Sequence, residues 1–306
     1  MINRMYYGTK KIYSFLENGN TGGECNCEQE YQNGYNQGYQ DGQNSVECPE
    51  GGGGNVFASI GWDSSDTAAL LPPVLNESIK ALEKFNNRED KTICSGLYRG
   101  NFSLSLAPKL DMENVIYADI MFYDCCALVA VPDMYAPNLE LTSDMFGGCR
   151  SLFRAPFITT EKVTNFYRMF ASCDNLKYVP DYNTSNATRC YEMFYDCVKL
   201  ERLPQFDFSN VEEDLGSFFG YGELNNLTEV GGFVGLKIDW NNDNGLSRCP
   251  NLTYESIMNV INGLYDFRGN GDNDTIRTLK INTNTMAMLS DEDKQIAINK
   301  GWMLTE

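Results

Sequence analysis

Apolar positions along this chain return every 24 residues. Four segments opening at Met121, Met145, Met169 and Met193 read MFYDCCALVAVP, MFGGCRSLFRAP, MFASCDNLKYVP and MFYDCVKLERLP. In one register stand Phe122, Phe146, Phe170, Phe194 and Phe218. The same register gives Cys125, Cys149, Cys173 and Cys197, with Tyr221 in the fifth slot. It also gives Leu128, Leu152, Leu176, Leu200 and Leu224, then Pro132, Pro156, Pro180 and Pro204, and run backwards it lands on Leu104 and Pro108. Further apolar columns follow at Met134, Ile158, Tyr182 and Phe206, and at Leu139, Val163, Ala187 and Val211.

One repeat cannot bury so many columns by itself, whereas stacked repeats place each column above its twin and form one ribbon of core. Each repeat is predicted to hold a short strand, such as Leu176 to Pro180, with Leu and Val inward and Pro ending the pairing. The fold class expected is therefore an α/β solenoid with a 24-residue period, short strands and short helical or irregular segments. Burying one large apolar side chain is worth roughly 1.5–3 kcal/mol, so five or six columns per repeat suffice to hold the stack. Cysteine in such a column reads as a small buried hydrophobe. Metal ligands would have to converge within one turn, and these are spread over successive repeats.

The pattern M/A-F-x-x-C-x-x-L-x-x-[VL]-P, followed by stretches such as Thr184–Thr188 and Phe208–Val211, resembles the BspA-like leucine-rich repeats over roughly residues 93–252. The resemblance implies a recognition or scaffold surface without fixing its partner. Such repeats are found in bacterial surface proteins and in viruses of gut bacteria.

Beyond the repeats, Ile257, Val260, Ile261 and Leu264 stand at helical spacing, Leu279–Ile281 reads as a strand, and Ser290 begins a near capping box. Gly301 marks a helix stop and Met303-Leu304 a closing strand, so residues 251–306 are expected to cap the last repeat. Ahead of the repeats (93–250), residues 56–92 are expected to form a helical cap, with Asn76 as N-cap and Ile79, Leu82 and Phe85 on one face.

The N-terminal part, residues 1–55, has another character. Residues 2–15 alternate around Gly8-Thr9 like a hairpin, too small to stand alone in water. A strict period of four follows, with Tyr31, Tyr35 and Tyr39 beside Gly34, Gly38 and Gly42. As a helix this places tyrosines on one stripe and glycines on the next. Each glycine costs such a helix about 1 kcal/mol, which close approach of a second helix would offset. The segment reads as an oligomerisation or docking stalk, with a flexible linker as the other reading. Gly51–Gly54 is a hinge, and Cys25, Cys27 and Cys48 flank the stalk as free thiols, a local disulfide or a metal clip. The YYGTKKIY start, the Tyr/Gly segment, the stretch ending at Trp62 and the closing Asn299-Lys300-Gly301-Trp302 resemble virion proteins of crAss-like gut bacteriophages. This implies a head fibre, decoration or tail-associated protein. Its N-terminus would dock on capsid or tail proteins, and its repeats would face outward, in a homo-oligomer. A bacterial cell-surface adhesin of the BspA-like kind is the alternative.

Charge and composition narrow the chemistry. The net charge of −18 disfavours nucleic acid and anionic membranes as partners. No run of 18 apolar residues is present to span a bilayer. The first residues lack a signal-peptide core, so the chain is expected to stay in the producing cell until released, and its eleven cysteines are not expected to form a disulfide framework. Histidine is absent, which removes the commonest general base and metal ligand. Gly51–Gly54 lacks the Lys-Ser/Thr of a phosphate loop. Asp239–Gly245 has half the oxygen spacing of a calcium loop, but Pro250 stands where a bidentate Glu is needed. No catalytic, metal or cofactor site is expected. The binding face expected is the concave strand surface, through Phe153, Arg154, Lys177, Tyr178 and Arg202, whose Tyr and Arg types favour interface hot spots. A host-surface glycan or protein is the partner expected there.

Overall fold

The computed structural model describes residues 72–212, 215–241 and 245–306. The hairpin, the Tyr31–Gly42 stalk, Cys25, Cys27, Cys48, Gly51–Gly54 and the stretch ending at Trp62 lie outside the described residues.

Each 24-residue repeat lies in parallel register on the next along three lines. The first joins Ile93, Tyr117, Leu141, Asn165 and Arg189 by successive parallel bridges. The second joins Arg154, Tyr178 and Arg202 and continues as the parallel pair β1 (Arg202–Leu203) and β3 (Glu229–Val230). The third joins Met134 to Ile158, and β2 (Phe206–Asp207) to β4 (Phe233–Val234). Most contacts are single bridges, because Pro156 and Pro180, next to the second line, have no N–H to extend a ladder.

Between the lines the side chains form shared files. The rings of Phe122, Phe146, Phe170 and Phe194 are fully buried, with centroids 5.4–5.8 Å apart and planes within 5° of parallel. Tyr98 begins the file at 5.2 Å, and Phe218 closes it edge-on at 5.5 Å. Backbone bonds repeat with it: the amides of Phe122, Phe146 and Phe170 donate to the carbonyls of Met145, Met169 and Met193.

The fifth repeat departs from the expected register. Arg202 pairs with Glu229 and Phe206 with Phe233, an offset of 27 residues. Leu227 N–H donates to Leu224 O as Leu200 N–H does to Cys197 O, so Leu224 takes the Cys slot and Leu227 the Leu slot. Tyr221, expected in the Cys slot, is two-thirds exposed. The three extra residues leave the buried columns intact and push the surplus chain outward.

The ends are closed by helices. Helix α1 (Pro72–Asn86) buries Ser78, Ala81 and Phe85, and Tyr98 Oη donates to Ala81 O. Asn76 is therefore inside the helix and not its cap: Pro72, with φ already fixed, begins it one turn earlier. At the other end α2 (Tyr254–Gly263) is capped by Thr253, and β5 (Arg277–Lys280) pairs in parallel with β6 (Trp302–Thr305). Between these strands lie α3 (Thr283–Met288) and α4 (Asp291–Asn299). The box at Ser290 is complete, because Asp293 reaches back to the Ser290 amide as a Glu would. Lys300 donates to the carbonyls of Ile261, Asn262 and Leu264 at the end of α2, and burial lowers its pKa.

The cysteine file does more than fill space. Cys125, Cys149, Cys173 and Cys197 each donate a thiol hydrogen bond, at 3.0–3.1 Å, to a carbonyl 27 residues back: Tyr98, Phe122, Phe146 and Phe170. Each of these carbonyls also accepts a backbone amide, from Asn101, Cys125, Cys149 and Cys173 in turn, so the thiol adds a second, weak donor. Burial pushes the Cys125 thiol up to about 12 and those of Cys149, Cys173 and Cys197 well above their ordinary value. A maleimide at neutral pH should thus label half-buried Cys126 in the native protein and spare these four until denaturant is added. Mass spectrometry of the labelled peptides reads the result, and native labelling of the four would contradict the buried file.

Candidate binding surface

The five side chains expected to bind come together on the second bridge line. Arg154, Tyr178 and Arg202 are successive bridge partners, and Phe153 and Lys177 precede two of them. Phe153 is 40% exposed and meets the Tyr178 ring edge-on at 5.6 Å. The Lys177 ammonium lies 5.6 Å from the centre of the Phe153 ring. Both Lys177 and the Tyr178 hydroxyl donate to the Glu201 carboxylate, the latter at 2.7 Å. Arg202 pairs with Glu229 at 2.7 Å. The carboxylates of Glu201 and Glu229 complete the patch and were not expected. Their signal is the repeat itself, since Glu201 lies 24 residues after Lys177 and Glu229 lies 27 after Arg202.

A polar shoulder adjoins this line. The Asn175 amide donates to Arg150 O at 2.7 Å, and Lys199 donates to Asn175 Oδ1 at 2.7 Å. The same device recurs where Asn138 donates to Glu113 O and Lys162 donates to Asn138 Oδ1. An amide at this position satisfies one repeat and presents its oxygen to the next.

A second side-chain cluster escaped the sequence reading. Ile120, Asp144, Arg168 and Glu192, spaced by 24, all adopt positive φ of 50–54°. In this file Arg168 bonds Asp144 at 3.1 Å and Glu192 at 3.0 Å, and Tyr167 stacks on Tyr191 at 5.9 Å. Burial raises the Asp144 pKa against the lowering pull of Arg168. Burial disfavours the Arg168 charge, and Asp144 and Glu192 outweigh it, so the Arg168 pKa lies above the ordinary guanidinium value. The three groups satisfy one another and form a structural clamp across repeats.

Of the calcium-loop candidate, residues 242–244 lie outside the described residues and Asp239 is engaged in folding contacts. Asp239 pairs with Arg277 at 3.3 Å and accepts the Thr278 amide at 2.6 Å. Among the described residues no three His, Cys, Asp or Glu side chains gather as a metal site, and no helix is long and apolar enough to cross a membrane.

Residues 121–229 match the model of a family described as Mycoplasma protein of unknown function, DUF285. No curated protein and no solved structure matches the chain. The match spans the 24-residue repeats from Met121 to Glu229 and is compatible with a protein of the BspA-like kind.

Proposed function

We propose that this protein is a structural component of a bacteriophage particle, without catalytic activity, that displays a leucine-rich-repeat α/β solenoid of the BspA-like kind. Residues 1–55 dock it on capsid or tail proteins and assemble it with its own copies through Tyr31, Gly34, Tyr35, Gly38, Tyr39 and Gly42. The solenoid then presents the surface of Phe153, Arg154, Lys177, Tyr178 and Arg202 to a host surface or a neighbouring virion protein. The observation that carries this reading is the division of labour within each repeat. The columns that pack are nearly uniform, while the bridge-line positions between them change from repeat to repeat and converge on one aromatic and charged patch.

The matched family's description names Mycoplasma proteins of unknown function, a bacterial source, and the second reading is a bacterial cell-surface adhesin of the BspA-like kind. Fractionation separates the two. An antibody against the repeats should detect the chain in gradient-purified phage particles, and deletion of residues 1–50 should leave a folded protein that no longer enters them. Detection on the outer envelope of particle-free cells would replace the first reading with the second. A purely cytosolic signal would end both.

A further inference from the structure

The segments that carry the second bridge line in three consecutive repeats together hold a local charge opposite to that of the chain. Over 149–156, 173–180 and 197–204 stand Arg150, Arg154, Lys177, Lys199 and Arg202 against Asp174 and Glu201, with Glu229 of the next repeat paired to Arg202, in a protein with 24 basic and 42 acidic residues. Arg150 and Lys199 are exposed and are tied to one shoulder through Asn175. Lys177 and Arg202 keep about a third of their side chains in water, beside the exposed Phe153 ring. A cationic surface in an acidic protein selects an anionic partner and speeds its approach.

Resting on the display reading above, we infer that this patch binds an acidic polysaccharide lying along the second bridge line. Spacing decides between a sugar chain and a peptide. Parallel bridge partners lie about 4.8 Å apart, close to the length of one hexopyranose unit, so successive sugars meet successive repeats. An extended peptide presents like-facing side chains roughly every 6.6 Å and falls out of step. The C–H face of a sugar packs on Phe153. Its carboxylates meet Lys177 and Arg202, displacing Glu201 and Glu229, whose ion pairs are partly open to water and weakened by it.

The test uses the full chain with polygalacturonate as probe and neutral dextran as control, in low and high salt, read by calorimetry or biosensor. Polygalacturonate should bind, dextran should not, and salt should weaken the complex. The pair Lys177→Gln and Arg202→Gln, and separately Phe153→Ala, should each lower affinity about tenfold or more without shifting the melting temperature by more than a few degrees. Equal binding of both polymers, no binding of either, or binding indifferent to these substitutions overturns the inference. Self-association in sedimentation that the Lys177→Gln and Arg202→Gln pair abolishes overturns it too, in favour of a second copy as occupant. None of these results touches the particle fractionation above, so the display reading stands or falls separately.

Discussion

Phe146→Ala is expected to lower the unfolding free energy by about 3–5 kcal/mol. The ring is fully buried between Phe122 and Phe170, 5.4 Å from each and nearly parallel to both. Its loss removes packing from three repeats at once. The hole cannot close by sliding the repeats together, because parallel bridges on three lines fix their separation. A domain is commonly stable by only about 5–15 kcal/mol, so the variant forfeits a large share of the total. Phe146→Leu retains most of the volume and should cost about 1–2 kcal/mol. Urea denaturation of the full chain followed by near- and far-UV circular dichroism measures both. A Phe146→Ala loss below about 1 kcal/mol would mean that the rings are not packed as a file.

That file was legible in the sequence because burial dictates residue type: Phe, Leu, Met and Cys recur where the side chains are fully buried. The register of the fifth repeat was not. A strict count of 24 lands on Tyr221 and Leu224, while the backbone uses Leu224 and Leu227. Leucine stands at both 224 and 227, so hydrophobicity cannot distinguish the two alignments, whereas the backbone pairing of Arg202 with Glu229 and of Phe206 with Phe233 does. The second bridge line shows a similar division. Lys177, Tyr178 and Arg202 could be named because they stand between buried columns, Leu176 and Val179 in one repeat and Leu200 and Leu203 in the next. Their acidic partners, a whole repeat away, could not. The positive-φ file left little trace, since Ile120, Asp144, Arg168 and Glu192 share no chemistry and glycine stands only at its ends, Gly96 and Gly216. For a β-branched residue such as Ile120 this backbone region is a true outlier, held there by the bonds from the Ile120 amide to Ser143 O and from the Tyr123 amide to Ile120 O.

Gly220→Ala is expected to cost about 2–5 kcal/mol, the sum of placing alanine at positive φ and overpacking a closed site. Gly220 sits at φ +81°, and an added Cβ would lie 2.8 Å from the Asp196 amide nitrogen and 2.5 Å from its carboxylate oxygen. Positive φ alone does not demand glycine in this file: Asp124, Ser172 and Asp196 adopt 57° with side chains in place. What demands it is the aspartate of the preceding repeat, whose carboxylate lies over the next repeat's backbone. Gly148 follows Asp124 in the same way, with the carboxylate oxygen 2.3 Å from the added Cβ, but there the nearest backbone atom is 3.3 Å away. The two positions should therefore part in double mutants. Asp124→Ala should restore most of the stability lost in Gly148→Ala, because the obstacle is a side chain. Asp196→Ala should restore little of that lost in Gly220→Ala, because the amide nitrogen remains and the Tyr221 amide loses its acceptor. Melting temperatures of the six variants decide the matter, and equal rescue at both sites would show that the backbone of the fifth repeat is free to move.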